Sequence, residues 1–153
     1  MKVITEYLDK LRPNITKLNL SCRGISKLPE DCLLRFTQLR DINLRYNYLK
    51  VLPKLPPTVE NLWCDSNLLK TLDLRQYPNL RLIDCKINKL RKLLLPSSCE
   101  TLYCGYNIIS CYDLDTYNEY VKRWHHDFLA FPASERAMAI ACFLFLTTPP
   151  EPE

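Results

Sequence analysis

Glycine is almost missing from this 153-residue chain, where it occurs only twice. Glycine-rich loops that close the backbone around a phosphate are therefore excluded as its organising device. Long apolar runs are missing as well: the longest is ten residues, 137–146. A transmembrane helix needs about 20, so no membrane span is expected. The start, Met1-Lys2-Val3-Ile4-Thr5-Glu6, lacks the apolar stretch of a secretory signal. No CxxC pair occurs, and the eight cysteines fall below the density of a disulfide scaffold. Reduced thiols in the cytoplasm are expected. No GxSxG, HExxH, P-loop or paired-carboxylate motif occurs, so neither an enzyme nor a bound cofactor or metal is expected. The only histidines, His125 and His126, are adjacent. On a helix such neighbours point about 100° apart and cannot grip one ion as an i,i+4 pair does. The net charge of +4 is a mild bias that demands neither nucleic acid nor acidic lipid.

What the chain has instead is leucine, 28 of 153 residues, and a repeat. Ile15, Leu18, Leu20, Arg23, Ile25 and Leu28 share one spacing. Leu39, Ile42, Leu44, Asn47, Leu49 and Leu52 repeat it, as do Val59, Leu62, Cys64, Asn67, Leu69 and Leu72. Leu80, Ile83, Cys85, Asn88, Leu90 and Leu93 make the fourth set, and Cys99, Leu102, Cys104, Asn107, Ile109 and Tyr112 the fifth. The pattern is LxxLxLxxNxL. On these residues the chain resembles the leucine-rich repeat family over 15–112. Its shorter repeats, such as LPKLPPTVENLWCDSNLLKTL, are similar to those of secreted bacterial effectors, and short repeats of this kind also occur in large DNA viruses. The resemblance implies an α/β solenoid of about five repeats, with short parallel strands on a concave face and helical caps at both ends.

The residues predict the same architecture. The central LxL alternates with period two, so each repeat contributes a short strand with apolar side chains inward. One such strand cannot bury its face alone, whereas five stacked strands bury a continuous column. The asparagine follows where the chain turns, and its amide can donate and accept for backbone groups enclosed there. Asn47, Asn67, Asn88 and Asn107 are thus expected to form a structural ladder, with Arg23 in the atypical first rung. The return at 29–38 has room for a helical turn with Leu33, Leu34 and Phe36 inward; the proline-rich 53–57 suits an extended path. Val3, Ile4, Tyr7, Leu8 and Leu11 have helical spacing, predicting an N-terminal cap over 1–14. Leu114, Tyr117, Val121, Trp124 and Phe128 predict an amphipathic helix, with a second to 146, forming a C-terminal cap over 113–146. The proline-rich 147–153 is expected to be extended.

Cys64, Cys85 and Cys104 occupy an inward position, where free cysteine behaves as a small hydrophobe. Cys111-Tyr112-Asp113 matches the C-x-D motif of ubiquitin ligases among the bacterial effectors. There the motif lies in a larger helical domain, and here 40 residues follow it, so the match is read as coincidence. Lys86, Lys89, Arg91 and Lys92 form the densest basic cluster and are read as a solvated face first, an acidic partner's footprint second, and a nucleic-acid site last.

The residues between the leucines are expected to point outward on the concave face. One column is Asn19, Asn43, Trp63, Asp84 and Tyr103; the next is Ser21, Arg45, Asp65, Lys86 and Gly105; beside it run Cys22, Tyr46, Ser66, Ile87 and Tyr106. Aromatic and arginine side chains dominate binding hot spots. Asn43, Arg45, Tyr46, Trp63, Asp65, Asp84, Lys86, Tyr103 and Tyr106 are therefore the candidate contacts, with intramolecular cover by the C-terminal segment as the other reading of this face. The expected function is a protein–protein interaction module without catalysis or a small-molecule substrate, holding a protein partner on the concave face. The alternative is an architectural subunit built into a larger assembly such as a large-virus capsid, placing it in the host cytoplasm or the virion.

Overall fold

Each LxL triplet becomes a strand. The computed structural model describes residues 2–108, and in it the strands of the main sheet are β1 (Lys17–Asn19), β2 (Asp41–Asn43), β3 (Asn61–Trp63), β5 (Leu82–Asp84) and β7 (Thr101–Tyr103). They start 24, 20, 21 and 19 residues apart, from positions 17, 41, 61, 82 and 101. All pair in parallel in the order β1-β2-β3-β5-β7. The register does not slip: Leu18, Ile42, Leu62, Ile83 and Leu102 stand side by side, and so do Asn19, Asn43, Trp63, Asp84 and Tyr103. The chain therefore winds through four turns of a parallel β-solenoid.

The inward positions of every turn share one core. Leu20, Leu39, Leu44, Leu49, Leu62, Leu69 and Leu80 are fully buried in it, with Cys64 and Cys85 in the same columns. Each rung buries too little apolar surface to stand alone, so the stack is held together by what neighbours exclude from water.

The return segments differ by rung. Between β1 and β2 the chain makes successive tight turns, with the Phe36 N–H donating to the Leu33 carbonyl at 3.1 Å and the Leu39 N–H to the Phe36 carbonyl at 3.0 Å. Leu33 and Phe36, three residues apart, share the inner side and are fully buried, whereas Leu34 is rotated outward and exposed. The expectation that Leu34 points in is thereby corrected. The proline-rich 53–57 return carries no strand; Pro53, Leu55 and Pro56 are buried along it. In the next two returns the chain is extended enough to pair: β4 (Thr71–Asp73) lies parallel to β6 (Lys92–Leu94) in a second, two-stranded sheet. These two strands are not expected from the sequence: Leu72 and Leu93 read as the last inward positions of their repeats, and the pairing of one return with the next is a lateral contact that no single repeat displays.

One helix occurs among the described residues, α1 (Lys2–Asp9). Leu8 enters the core beside β1, and Ile4, Tyr7 and Leu11 pack partly against it. Val3 is exposed, in contrast to its expected place on the packing face. The end of α1 is tied down by Arg35, which reaches the Asp9 carboxylate at 3.3 Å and the Leu11 carbonyl at 3.3 Å, while Arg23 stacks over the Tyr7 ring. The expected C-terminal cap over 113–146, the tail 147–153, Cys111-Tyr112-Asp113, His125 and His126 lie outside the described residues. No described helix is long and apolar enough to cross a membrane.

Candidate binding face

The frame of the face is set by the asparagines. Asn47, Asn67, Asn88 and Asn107 are buried, one per rung. The Asn67 amide nitrogen donates to the carbonyls of Leu44, Cys64 and Asp65 at 2.9, 3.2 and 3.2 Å, and its oxygen accepts from the Leu49 N–H at 3.0 Å. Asn88 repeats this with Cys64, Cys85, Lys86 and Leu69, and Asn107 with Cys85, Cys104, Gly105 and Leu90. Asn47 accepts from two N–H groups, those of Arg23 and Ile25. Every asparagine thus bonds its own turn and the preceding one, satisfying backbone groups that water does not reach.

The residue before each ladder position has a left-handed backbone. Cys22, Tyr46, Ser66, Ile87 and Tyr106 have φ between 50° and 57°. The turn throws their side chains outward: Tyr46, Ile87 and Tyr106 are 60, 54 and 70 % exposed. This column forms a rim along the main sheet. Tyr103, at the end of β7, is half-exposed, and Trp63, at the end of β3, is half-buried.

The charged candidates behave differently. Asp65 and Asp84 are buried, at 5 and 2 % exposure. The Arg45 guanidinium bridges both, through Nε to Asp65 and through one terminal nitrogen to Asp84 at 2.8 Å. Lys86, on the same rung as Asp84, closes the network at 3.5 Å from its carboxylate. Burial works against the charge on Arg45, but the hydrogen bonds it donates to Asp84 and Asp65 more than offset it and hold the guanidinium above its ordinary pKa. Arg45 also lies over the Trp63 ring and Lys86 over the Tyr103 ring, at 5.8 and 5.4 Å from the centroids. Asp65 and Asp84 are therefore corrected from outward contacts to buried anchors of the sheet. They point outward in register, but Arg45 lies across them.

Asn43 is also engaged, since its Oδ1 accepts the Arg45 N–H at 3.1 Å, as Asn19 Oδ1 accepts the Ser21 N–H at 3.0 Å. The structure thus brings together Arg45, Trp63, Asp65, Asp84, Lys86 and Tyr103 on four successive rungs, from the turn after β2 to β7, and sets Tyr46 and Tyr106 apart on the rim.

Sequence reasoning missed one further outward column. Lys17 pairs with Asp41 at 3.1 Å, and Asn61 donates to Asp41 at 2.7 Å. Partial burial disfavours the Asp41 charge, yet these partners outweigh it and hold the carboxyl below its ordinary pKa. The column precedes the central leucine of each strand. The signal that could have found it is lateral, Lys-Asp-Asn at one position in successive repeats.

Cys22, Cys32, Cys64, Cys85 and Cys104 are free thiols, and the Cys99 thiol donates to the Thr101 carbonyl at 3.7 Å. Burial pushes the thiols of Cys64 and Cys85 far up, with the nearby Asp65 adding to the effect on Cys64, and pushes Cys104 up to about 11. Such thiols stay protonated and unreactive. On the opposite side, a groove of about 800 Å3 floored by Leu28, Leu52, Leu55, Leu72 and Tyr77 lies beside β4, away from the concave columns.

No protein-family model matches the chain, and no curated protein matches it either.

Proposed function

We propose that this chain is a leucine-rich repeat module that binds a protein partner along its concave sheet and aromatic rim, with α1 serving as the cap of the first rung. The repeat reading is supported by rungs of 19 to 24 residues, an unslipped parallel register and asparagines that each bond two turns. The observation that carries the binding reading is the exposure of Tyr46, Ile87, Tyr103 and Tyr106 on one side of a rigid frame. Tyrosine presents a large amphipathic surface with little rotamer freedom to lose, and it is enriched at hot spots. The network of Arg45, Asp65, Asp84 and Lys86 is already internally paired. It acts as a stiff floor under the aromatics, and the partner meets the rings of Tyr103 and Trp63, the rim and the open side of Lys86. Catalysis has no part in this reading.

The test is differential capture from the native source with the wild-type chain and with Tyr46→Ala/Tyr106→Ala as baits. A protein retained by the wild type and lost by the variant, with both baits melting within a few degrees of each other, supports the reading. Truncating one central aromatic weakens binding by about thirtyfold. Identical captured sets from two folded baits would overturn it.

A further inference from the structure

The charges of this solenoid are sorted by face. Around the concave sheet and along the returns, cations are matched: Lys17 with Asp41, Arg40 with Glu60, Arg45 with Asp65 and Asp84, Lys54 with Glu30, Arg75 with Asp73. The flank that follows the asparagine column is different. It is built from 23–28, 47–52, 67–72 and 88–93, and these stretches contain no aspartate or glutamate. Besides Arg23, which is stacked on the Tyr7 ring of α1, they contain Lys27, Lys50, Lys70, Lys89, Arg91 and Lys92, all exposed. Among the described residues, none of the six makes an ion pair.

The winding places these cations in rows. Lys50, Lys70 and Arg91 hold one position in three successive turns, and the Arg91 N–H donates to the Lys70 carbonyl at 2.9 Å. Lys92 stands beside Thr71 in the β4–β6 register. Neighbouring rungs are roughly 4.8 Å apart, well inside the Debye length of about 8 Å at physiological salt. Asp73 in β4 offsets part of the Lys92 charge, but the rows otherwise repel themselves, so they favour a polyanion although the chain as a whole is only mildly basic.

The residue types select among polyanions. Five of the six cations are lysine, a strongly hydrated point charge without the planar fork that reads individual phosphates. Lysine is depleted in the cores of protein interfaces, which argues against a protein footprint. Tyr48 and Val51 stand exposed between the cations. A lone tyrosine is no stacking platform for single-stranded nucleic acid, which uses several successive rings. A tyrosine and a short aliphatic side chain among lysines do match the head-group layer of a bilayer.

We propose that this flank docks the protein peripherally on an anionic lipid surface. The ammonium groups meet phosphate and carboxylate head groups, and Tyr48 and Val51 enter the interfacial layer. The contact requires no spanning segment and leaves the concave face free.

Flotation of the full chain with phosphatidylserine-containing and pure phosphatidylcholine vesicles tests it. Binding is expected only to the anionic vesicles and is expected to weaken as salt rises. Lys70→Glu/Arg91→Glu is expected to lower it by at least about tenfold, because each cation near the surface contributes about fivefold. Lys10→Glu/Arg12→Glu changes net charge equally away from the flank and is expected to lower it less than about threefold. Thermal melts check that both doubles stay folded, and Lys70→Gln/Arg91→Gln gives an intermediate loss without charge reversal. Equal binding to neutral vesicles, or equal losses from the two charge-reversed doubles, would overturn the proposal. So would a single-stranded homopolymer that binds more tightly than the vesicles and is lost with the same flank double.

Discussion

Asn67→Ala removes four hydrogen bonds at once, but it strands only one group. The Leu44 carbonyl keeps the Asn47 amide at 3.0 Å, the Cys64 carbonyl keeps the Asn88 amide at 3.0 Å, and the Asp65 carbonyl keeps the Tyr46 N–H at 3.2 Å. The Leu49 N–H has Asn67 Oδ1 as its side-chain acceptor at 3.0 Å and sits at a fully buried residue. Leaving that donor unpaired costs about 1–3 kcal/mol. With three carbonyls each losing one of two donors, the expected total is about 2–3 kcal/mol. For a small domain this shifts the urea midpoint by roughly 1 M. Ser66→Ala is the matched comparison: Ser66 is half-buried, its hydroxyl makes one long contact to Asp65 at 3.4 Å, and the change should stay within about 0.5 kcal/mol. Asn67→Ala/Asn88→Ala adds a sharper check. Both amides donate to the Cys64 carbonyl, which loses its last asparagine donor only in the double variant, so the double should cost more than the sum of the singles. Equal midpoints for Asn67→Ala and Ser66→Ala, or strict additivity in the double, would refute this account of the ladder.

Arg45→Met leaves Asp65 and Asp84 buried with their main cation gone and should cost about 3–5 kcal/mol, whereas Arg45→Met/Asp65→Asn/Asp84→Asn should recover most of that loss; equal urea midpoints for the two variants would contradict the bridging role. The buried thiols predict a stability limit on the alkaline side. Cys32 and Cys104 are raised from 9.0 to about 11 by burial, so the unfolded chain ionises first: their contribution is intact below pH 9 and is lost as pH rises from 9 to 11. Urea midpoints measured across that range should fall, and less steeply in Cys104→Val; identical slopes would remove the thiol explanation.

Legibility followed the range of the interactions. The strand spacing of 24, 20, 21 and 19 residues could be read directly, because period two within LxL is a local property and each repeat restates it. The outward column from Asn19 to Tyr103 followed for the same reason. What those columns do to one another was not legible, because it depends on lateral distance between rungs. Arg45 and Asp65 occupy one position in successive repeats and pair across the rungs, and Arg45 also reaches Asp84 in the neighbouring column, where Lys86 joins it. The basic cluster shows the same limit. Lys86, Lys89, Arg91 and Lys92 are close in sequence, but the turn at Ile87 separates them: Lys86 faces the concave side and pairs with Asp84, while the other three join Lys27, Lys50 and Lys70 on the flank. Val3 and Leu34 were misplaced for a different reason: near a chain end or in a tight turn, a shift of one residue rotates a side chain from the core to water.

The rim column separates what the fold requires from what it leaves open. The fold requires a left-handed residue before each asparagine. That turn lets the Asn47 N–H reach the Ser66 carbonyl at 3.2 Å and the Asn67 N–H reach the Ile87 carbonyl at 3.3 Å, linking one rung to the next. The requirement concerns the backbone alone, and a small polar residue meets it, as Ser66 does with φ 55°. A β-branched side chain in the same conformation is a steric outlier costing of order 1–3 kcal/mol, yet Ile87 stands there with φ 50°. Backbone geometry therefore does not account for an isoleucine or for the tyrosines at 46 and 106. Packing among the described residues does not account for them either, because all three are more than half exposed there. On the binding reading proposed above, such side chains are placed for a partner, which makes the rim and not the charged floor the place to test for one.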